Sequence, residues 1–408
     1  MKKEYKMDLI IPIVLFVIGL IMLIKGGDWF VDGATGIAHR FHIPEILIGA
    51  TVVAIGTTLP EVMVSATGAM QGQGAMAYGN AIGSIICNTS LIAALTIAIR
   101  PTKVDRKPLV FPIIFFFCSA AFYAFVSYFF GEFARWVGIV LLCGFVAYMT
   151  VLIIQAFRDR QPKEEITGEL VADILDDEVE EDKQSSVGDF VGFLLVAAGL
   201  IANFVISAVT AGGLMTDLSD FMAFAGFYLP LLLGVIFLAI GLAKAIARKG
   251  LGLLNSNVLF LVLGAAIIAI GASLLVDNGT IIAEKLGVPS SVIALTFVAL
   301  GTSLPELVTA VTALVKGHSS LSLGNIIGAN IFNLVLVSGV SVTISPFAVP
   351  TEKVVAGMNA SLVVDIPVMF AAMALMTLPA LFRGKLARWQ GITLIAIYAA
   401  FCVFQFAF

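Results

Sequence analysis

The chain has 408 residues, of which 60% are hydrophobic and 12% are charged, and its mean hydropathy is +1.06. A soluble domain carries roughly 25% charged residues, so this composition excludes an ordinary soluble domain and predicts a polytopic α-helical membrane protein. A membrane β-barrel is excluded because its short alternating segments are missing, and the net charge of −4 decides little by itself. Four cysteines lie in apolar segments without paired spacing, which predicts no disulfide and no metal-binding role: Cys87, Cys118, Cys143 and Cys402.

The apolar segments, taken in chain order, predict five membrane spans, an insertion and five further spans. The first five spans lie near 9–38, 44–70, 75–99, 108–130 and 134–157. An acidic loop at 158–188 follows, which we interpret as a solvated cytoplasmic linker, with a regulatory Ca²⁺ site as the alternative. Two additional apolar runs, near 190–214 and 224–247, predict an extra hairpin. The last five spans lie near 254–285, 289–315, 320–343, 359–381 and 388–407.

A repeat with a fixed offset of 245 residues relates the two sets of five spans. Residues 44–91 and 289–336 share 19 identities in 48 positions without a gap. Shared hydrophobicity does not explain the matches, because they fall on Gly, Pro, Thr, Asn and Glu. We therefore predict two homologous halves, 1–157 and 254–408, with ion motifs at 50–91 and 295–336, separated by the loop 158–188 and by a hairpin with its linker at 189–253.

The parity of the spans predicts that the two halves have inverted topology, because each contains an odd number. With twelve spans, the loops on one side carry sixteen Lys and Arg residues and the side with both termini carries six. Basic loops remain in the cytoplasm, so both termini are predicted on the extracytoplasmic side of the cell membrane.

Two copies of one motif place a glutamate inside an apolar span. Residues 56–61 read GTTLPE and residues 301–306 read GTSLPE. A carboxylate within the membrane costs a few kcal/mol or more on insertion scales. Because Glu61 and Glu306 occupy equivalent positions of the repeat, we predict that they serve a function.

The residues around each glutamate supply further oxygen atoms. Pro60 and Pro305 each lack an N–H group and displace a carbonyl one turn back, which frees carbonyl groups near 54–57 and 299–302. Hydroxyl groups lie on the same helical face as each glutamate, and the next helix of each half adds polar side chains: Thr57, Thr58, Thr302 and Ser303, then Ser84, Asn88, Asn80, Asn325 and Asn333.

A centre made only of carboxylate, hydroxyl, amide and carbonyl oxygens suits Ca²⁺, which takes 6–8 oxygen ligands. Two carboxylates neutralise one Ca²⁺, and the same oxygens can instead hold several Na⁺ ions. A site that holds one kind of ion or the other predicts an antiporter. The only bound species that we expect are the transported ions, with no cofactor, no nucleic acid and no protein partner.

The motifs GTTLPE with GNAIGSIICN, and GTSLPE with GNIIGANIFN, resemble the two α-repeats of the sodium/calcium exchanger family, within the cation/Ca²⁺ antiporter superfamily. The resemblance is closest to microbial members and covers both sets of five spans. It implies ten core helices, outward termini and Ca²⁺ extrusion driven by Na⁺ entry. It also implies alternating access through sliding of the first and sixth core helices.

Carried over position by position, the resemblance implies a ligand set in each half: Ala54, Thr57, Thr58, Glu61, Ser84 and Asn88, then Ala299, Thr302, Ser303, Glu306 and Asn333. The two alanines, Thr57 and Thr302 would bind through their backbone carbonyl groups. Ala329 stands where microbial relatives often have Ser, which puts the number of Na⁺ sites in question. Asn333 stands where K⁺-dependent members usually have Asp, which favours exchange without K⁺.

Three alternatives remain open on the sequence. A proton/Ca²⁺ exchanger would use the same fold and glutamate pair, although the hydroxyl groups favour Na⁺. A channel or ion sensor is less compatible with the repeat, and an intramembrane aspartyl protease needs Asp, which both motifs lack. Asp28 and Asp32 are interpreted as residues of a helix end, with an ion entrance as the alternative.

Overall fold

The computed structural model describes residues 2–41, 43–70, 72, 74–158, 254–285, 301–351, 353–355 and 357–407. The predicted acidic loop beyond residue 158, the predicted hairpin at 190–247 and the stretch 289–300 of a predicted span lie outside the described residues. Apart from Leu254 and Asn255, the described residues belong to one compact unit.

The first part of the chain is almost entirely helical. A π-helical segment, π1 (Gly49–Val53), joins the helices Glu45–Ile48 and Ala54–Met70, and a second, π2 (Asn88–Ala93), joins Gly74–Cys87 and Ala94–Ile99. The helices are α1 (Lys2–Phe41), α2 (Glu45–Ile48), α3 (Ala54–Met70), α4 (Gly74–Cys87), α5 (Ala94–Ile99), α6 (Lys107–Phe129) and α7 (Arg135–Arg158).

The second part repeats this organisation. A π-helical segment, π3 (Asn333–Val337), joins the helices Ser319–Phe332 and Ser338–Ile344, and another, π4 (Ser361–Asp365), leads into Ile366–Arg383. The helices are α8 (Leu254–Lys285), α9 (Leu304–Lys316), α10 (Ser319–Phe332), α11 (Ser338–Ile344), α12 (Ile366–Arg383) and α13 (Arg388–Ala407).

Eight helical spans in the described part of the chain are long and apolar enough to cross a bilayer. Each one overlaps a predicted span, and α13 forms a further helix where 388–407 was predicted. The eight are Ile10–His39, Glu45–Met70, Gly74–Ile99, Lys107–Phe129, Arg135–Ala156, Asn257–Gly279, Ser319–Ile344 and Ser361–Arg383. The prediction of an all-helical polytopic membrane protein is confirmed.

The spans form an inner and an outer group. In Glu45–Met70, Gly74–Ile99 and Ser319–Ile344, between 72% and 94% of the most apolar window is buried, whereas the other five bury between 28% and 39%. The inner three carry motif residues, and the outer ones present apolar side chains such as Ile11 and Val146 to the surroundings. Lipid can solvate the apolar faces of the outer spans. The inner spans, which carry the motif residues, are buried in the protein interior.

The long helices α1 and α8 cross through glycines. A Cβ atom on Gly19 would lie 2.8 Å from the carbonyl oxygen of Gly271, and a Cβ atom on Gly264 would lie 2.8 Å from that of Gly26. The partner positions run in opposite directions along the two helices, so the helices are antiparallel. Small residues allow this backbone-to-backbone approach.

Short paired segments cover both ends of α6. At its C-terminal end, β1 (Glu132–Phe133) pairs with β2 (Phe347–Ala348). At its N-terminal end, Lys103 and Lys385 form an isolated β-bridge between the loops 100–107 and 383–388. A separate hairpin, β3 (Val354–Val355) with β4 (Met358–Asn359), precedes π4.

Candidate ion-binding site

Both motif glutamates are completely buried, with 0% of either residue exposed. Glu61 follows Pro60 inside α3, directly after the irregular segment π1. Glu306 lies in the first turn of α9, which starts at Leu304 after a turn at residues 302 and 303. The backbone is therefore irregular next to Glu306, whereas Glu61 lies in a helix that continues through Pro60 and begins where π1 ends at Val53.

The two glutamates belong to one cluster. The hydroxyl group of Thr58, three residues before Glu61, lies 3.5 Å from the Oε1 atom of Glu306. The two carboxyl groups are also close enough to interact electrostatically. The structure thus brings together side chains that are 245 positions apart in the chain.

Matched hydrogen bonds connect the two halves. The hydroxyl of Thr57 donates to the Oδ1 atom of Asn325 at 3.2 Å, and that of Thr302 donates to the Oδ1 atom of Asn80 at 3.4 Å. Adding 245 converts Thr57 to Thr302 and Asn80 to Asn325, so the second contact is the first with the halves exchanged.

Asn80 is also bound to its own half. Its Nδ2 atom donates to the carbonyl oxygen of Glu61 at 3.2 Å and to the Oγ atom of Ser65 at 2.7 Å. The sequence predicts Asn80 and Asn325 on the polar face, but the ligand set implied by the family resemblance does not include them. Their recurrence at the repeat offset, one turn before Ser84 and Ala329, was the signal for a role at the site.

Most polar atoms of this cluster have no hydrogen-bond partner among the described residues. They are both carboxylate oxygens of Glu61, Oε2 of Glu306, Oγ of Ser303, and Oδ1 and Nδ2 of both Asn88 and Asn333. Leaving one buried polar group unpaired costs about 1–3 kcal/mol, and more for a charged group. Unpaired buried oxygens on the motif residues of both halves fit a cation, which can coordinate several of them.

Most of the remaining predicted ligands are also buried where the structure describes them. Ala54, Thr57, Thr58 and Ser303 are buried, Ser84 is buried on α4, and Thr302 is half-buried. Ala299 lies outside the described residues. Asn88 and Asn333 each begin a π-helical segment, π2 and π3, and such segments are frequent at functional sites.

Glycines bring α10 against π1 and α3. A Cβ atom on Gly328 would lie 2.7 Å from the Cα atom of Ala50 and 2.8 Å from the Cβ atom of Ala54. The spacing Gly324-x-x-x-Gly328 permits this close approach, which places the polar face of α10 next to the GTTLPE motif.

The site has negative charge without a buried positive charge. None of the lysine, arginine and histidine residues whose burial the structure describes is buried. A small cavity borders the cluster, lined by Phe30, Gly56, Thr57, Pro60, Ala265, Ile268, Ala269 and Pro305. Two buried carboxylates with no cationic partner are stable only if they are protonated or bind a cation.

Comparisons with known proteins agree with this chemistry. The sequence profile of the family described as "Sodium/calcium exchanger protein" matches residues 11–154 and 256–407. The sodium/calcium exchanger MaX1 of Methanosarcina acetivorans is 29% identical over 393 residues, which cover 96% of this chain and 97% of MaX1. The inner membrane protein YrbG of Escherichia coli K12 is 28% identical over 335 residues, covering 81% and 79%.

A solved structure shows the same fold. The sodium-calcium exchanger NCX_Mj, soaked with 2.5 mM Na⁺ and 1 mM Sr²⁺, aligns with a TM-score of 0.65 and 25% identity, over 95% of this chain and 96% of that one. The profile match covers more than half of the chain and includes both glutamate motifs. The chain belongs to the sodium/calcium exchanger family, and it is a cation-exchanging membrane transporter and not an enzyme.

Proposed function

We propose that this protein is a secondary antiporter that exchanges Na⁺ for Ca²⁺ by alternating access. The observation that carries the proposal is the buried cluster around Glu61 and Glu306, whose oxygen atoms lack hydrogen-bond partners among the described residues. Carboxylate and hydroxyl oxygens are hard donors that suit both Ca²⁺ and Na⁺.

The proposed ligands are the predicted set. Glu61 and Glu306 neutralise one Ca²⁺ or share Na⁺ ions, and the hydroxyl and amide groups complete the coordination. Thr57 and Thr302 act through their carbonyl oxygens, since their hydroxyl groups are directed to Asn325 and Asn80. The full set is Ala54, Thr57, Thr58, Glu61, Ser84, Asn88, Ala299, Thr302, Ser303, Glu306 and Asn333.

The two halves, 1–157 and 254–408, are proposed to be inverted five-helix repeats. The antiparallel crossing of α1 with α8 and the exchanged Thr–Asn contacts support this arrangement. Gly19, Gly26, Gly264 and Gly271 line the crossing of α1 and α8, which we call the glycine seam. Sliding of the two helices along this seam would open the site to either side of the membrane. The segment 158–188 is then a cytoplasmic linker, and 189–253 is an additional hairpin outside the ten core helices.

The proposed location is the inner or plasma membrane, with both termini outside the cytoplasm. The lysine and arginine bias of the predicted loops supports this orientation, and YrbG supports the membrane. Asn333 in place of an acidic residue favours exchange without K⁺. If more positive charge moves with Na⁺ than with Ca²⁺, Ca²⁺ extrusion is electrogenic.

Ion fluxes in proteoliposomes test the proposal. Vesicles loaded with Na⁺ and diluted into Na⁺-free buffer should take up ⁴⁵Ca²⁺, and collapse of the Na⁺ gradient with an ionophore should stop the uptake. Added K⁺ should leave the rate unchanged, and a membrane potential that is positive inside should speed the uptake, because net positive charge then leaves the vesicle with Na⁺. Uptake that follows a pH gradient and ignores Na⁺ would replace this proposal with a proton/Ca²⁺ exchanger.

A further inference from the structure

One end of the helical unit is strongly basic. The loops 100–107 and 383–388 are joined there by the bridge between Lys103 and Lys385, with Val104 N donating to the Gly384 oxygen at 3.0 Å and Leu386 N donating to the Thr102 oxygen at 2.9 Å. The two loops contain a single acidic residue, Asp105, and seven basic ones: Arg100, Lys103, Arg106, Lys107, Arg383, Lys385 and Arg388.

A cavity of about 20 Å³ lies beneath these loops. Its lining comes from the end of α5, the loop 100–104, the end of α9 and the first turns of α10. Arg100 and Lys103 are exposed at its rim, and Thr96, Ser319 and Ser320 add hydroxyl groups. The Nη1 atom of Arg100 donates to the Leu314 oxygen at 3.3 Å, which holds this side chain beside α9.

The N-terminus of α10 faces this cavity without a side-chain cap. No side-chain hydrogen bond caps its first turn, at the N-cap residue His318. The first N–H groups of a helix have no partner within the helix, and together with the helix dipole they favour anions. Glu45, beside this terminus, is bound by His318, with 2.8 Å between the Nδ1 and Oε1 atoms.

An unpaired hydroxyl group marks the inner wall of the cavity. Ser322 is only 3% exposed, and its Oγ atom has no hydrogen-bond partner among the described residues. A buried hydroxyl usually has a partner, because leaving it unpaired is costly. Ser322 is outside the glutamate cluster, so the Na⁺ and Ca²⁺ chemistry does not account for it.

We propose that this cavity binds a phosphate group, carried by an anionic phospholipid of the adjoining leaflet or present as free phosphate. The α10 terminus and the serine hydroxyls hold the phosphate oxygens, and Arg100 and Lys103 neutralise their charge. The cavity admits one edge of the group, and the rest remains at the basic rim. Binding connects loop 100–107 of the first half to the α9–α10 hairpin, which carries Glu306.

The test is thermal unfolding of the full-length protein in detergent, with three probes. They are dioctanoyl phosphatidic acid, inorganic phosphate, and dioctanoylglycerol, which has the same acyl chains without phosphate. Dioctanoyl phosphatidic acid should raise the Tm of the protein, and dioctanoylglycerol should not. A response to inorganic phosphate at the same concentrations identifies the free ion as the ligand, whereas a response to the lipid alone identifies a headgroup.

Two double variants separate a built site from diffuse attraction. Arg100→Gln with Lys103→Gln removes two charges from the cavity, and Lys107→Gln with Arg383→Gln removes two from the same loops outside its lining. The first should need roughly tenfold more phosphatidic acid for the same Tm rise, and the second should behave like the parent protein. Equal losses in both variants, or no Tm rise with any probe, would overturn the proposal.

Ser320→Asp provides an independent variant if loss of Arg100 disturbs folding. A carboxylate in the first turn of a helix is favourable, so this variant should fold. It places a negative charge at the proposed phosphate position, and the Tm rise with either phosphate probe should disappear. An unchanged response in Ser320→Asp contradicts the site.

Discussion

The motifs of the two halves share a backbone plan but differ in their side-chain contacts. In both halves a glutamate is buried, an asparagine begins a π-helical segment, and a threonine donates to an asparagine of the other half. Thr58 of the first half contacts Glu306, whereas its counterpart Ser303 has no partner among the described residues. Ser84 of the first half corresponds to Ala329, which has no hydroxyl group.

The asparagines show the cause of this asymmetry. The Nδ2 atom of Asn80 donates to Ser65, but position 310 in the second half is an alanine, and the Nδ2 atom of Asn325 has no partner among the described residues. The repeat therefore retains the groups that join the halves, while Ser65 and Ser84 of the first half correspond to alanines in the second. We expect the first half to contribute more of the Na⁺ coordination.

Removing either carboxylate is the strongest way to challenge this comparison. Glu61→Gln and Glu306→Gln should each lower Na⁺-driven ⁴⁵Ca²⁺ uptake about a hundredfold or more, because one remaining carboxylate cannot neutralise Ca²⁺ in a buried site. Glu132→Gln, at an exposed position on β1, is the control and should transport normally. If only one of the two buried changes abolishes uptake, the glutamates do not form a shared site.

Filling the glycine seam tests whether both halves must move against each other. A Cβ atom at position 264 would meet the backbone of Phe30 and the Gly26 oxygen, so Gly264→Ala should slow exchange by roughly tenfold through overpacking of about 1–3 kcal/mol. Gly144→Ala on α7, where the nearest heavy atom to a Cβ is 3.7 Å away, should leave the exchange rate unchanged. Equal rates in the two variants would argue against sliding of α1 along α8.

The paired asparagines should respond unequally. Asn80→Ala removes contacts to Thr302, Glu61 and Ser65, whereas Asn325→Ala removes one contact to Thr57. At about 1 kcal/mol for each hydrogen bond, Asn80→Ala should lower the free energy of unfolding by about 2–3 kcal/mol and Asn325→Ala by about 1 kcal/mol. Thermal unfolding and the Na⁺ concentration for half-maximal Ca²⁺ exchange measure both effects. A larger loss of unfolding free energy in Asn325→Ala than in Asn80→Ala would contradict the unequal hydrogen bonding of the two asparagines.

Substitutions at Ser84 and at its counterpart Ala329 should have the smallest effects on transport. Ser84→Ala should raise the Na⁺ concentration for half-maximal exchange by roughly threefold to tenfold, since one hydroxyl ligand is lost. Ala329→Ser should change it in the opposite direction, and the double variant should return close to the parent value. Ca²⁺ affinity measured in the absence of Na⁺ is the control, and a matching shift there would show that the change is not specific for Na⁺.

The fold class and the glutamate pair could be predicted because their signals are local or repeat at a fixed offset. Span hydropathy indicated the helices, and the offset of 245 identified Glu61 with Glu306 as one pair. Local sequence did not indicate the π-helical start at Asn88 and Asn333 or the contact from Thr58 to Glu306. Those features depend on how distant helices pack, as does the bridge between Lys103 and Lys385, which joins residues 282 positions apart (385 − 103).

The crossed threonine–asparagine bonds imply that neither half has a complete site of its own. With the inverted topology proposed above, a single half would need a second copy in the opposite orientation in the same membrane to complete the cluster. Carrying both halves in one chain would fix these proposed orientations, and it allows the halves to differ at positions such as 84 and 329.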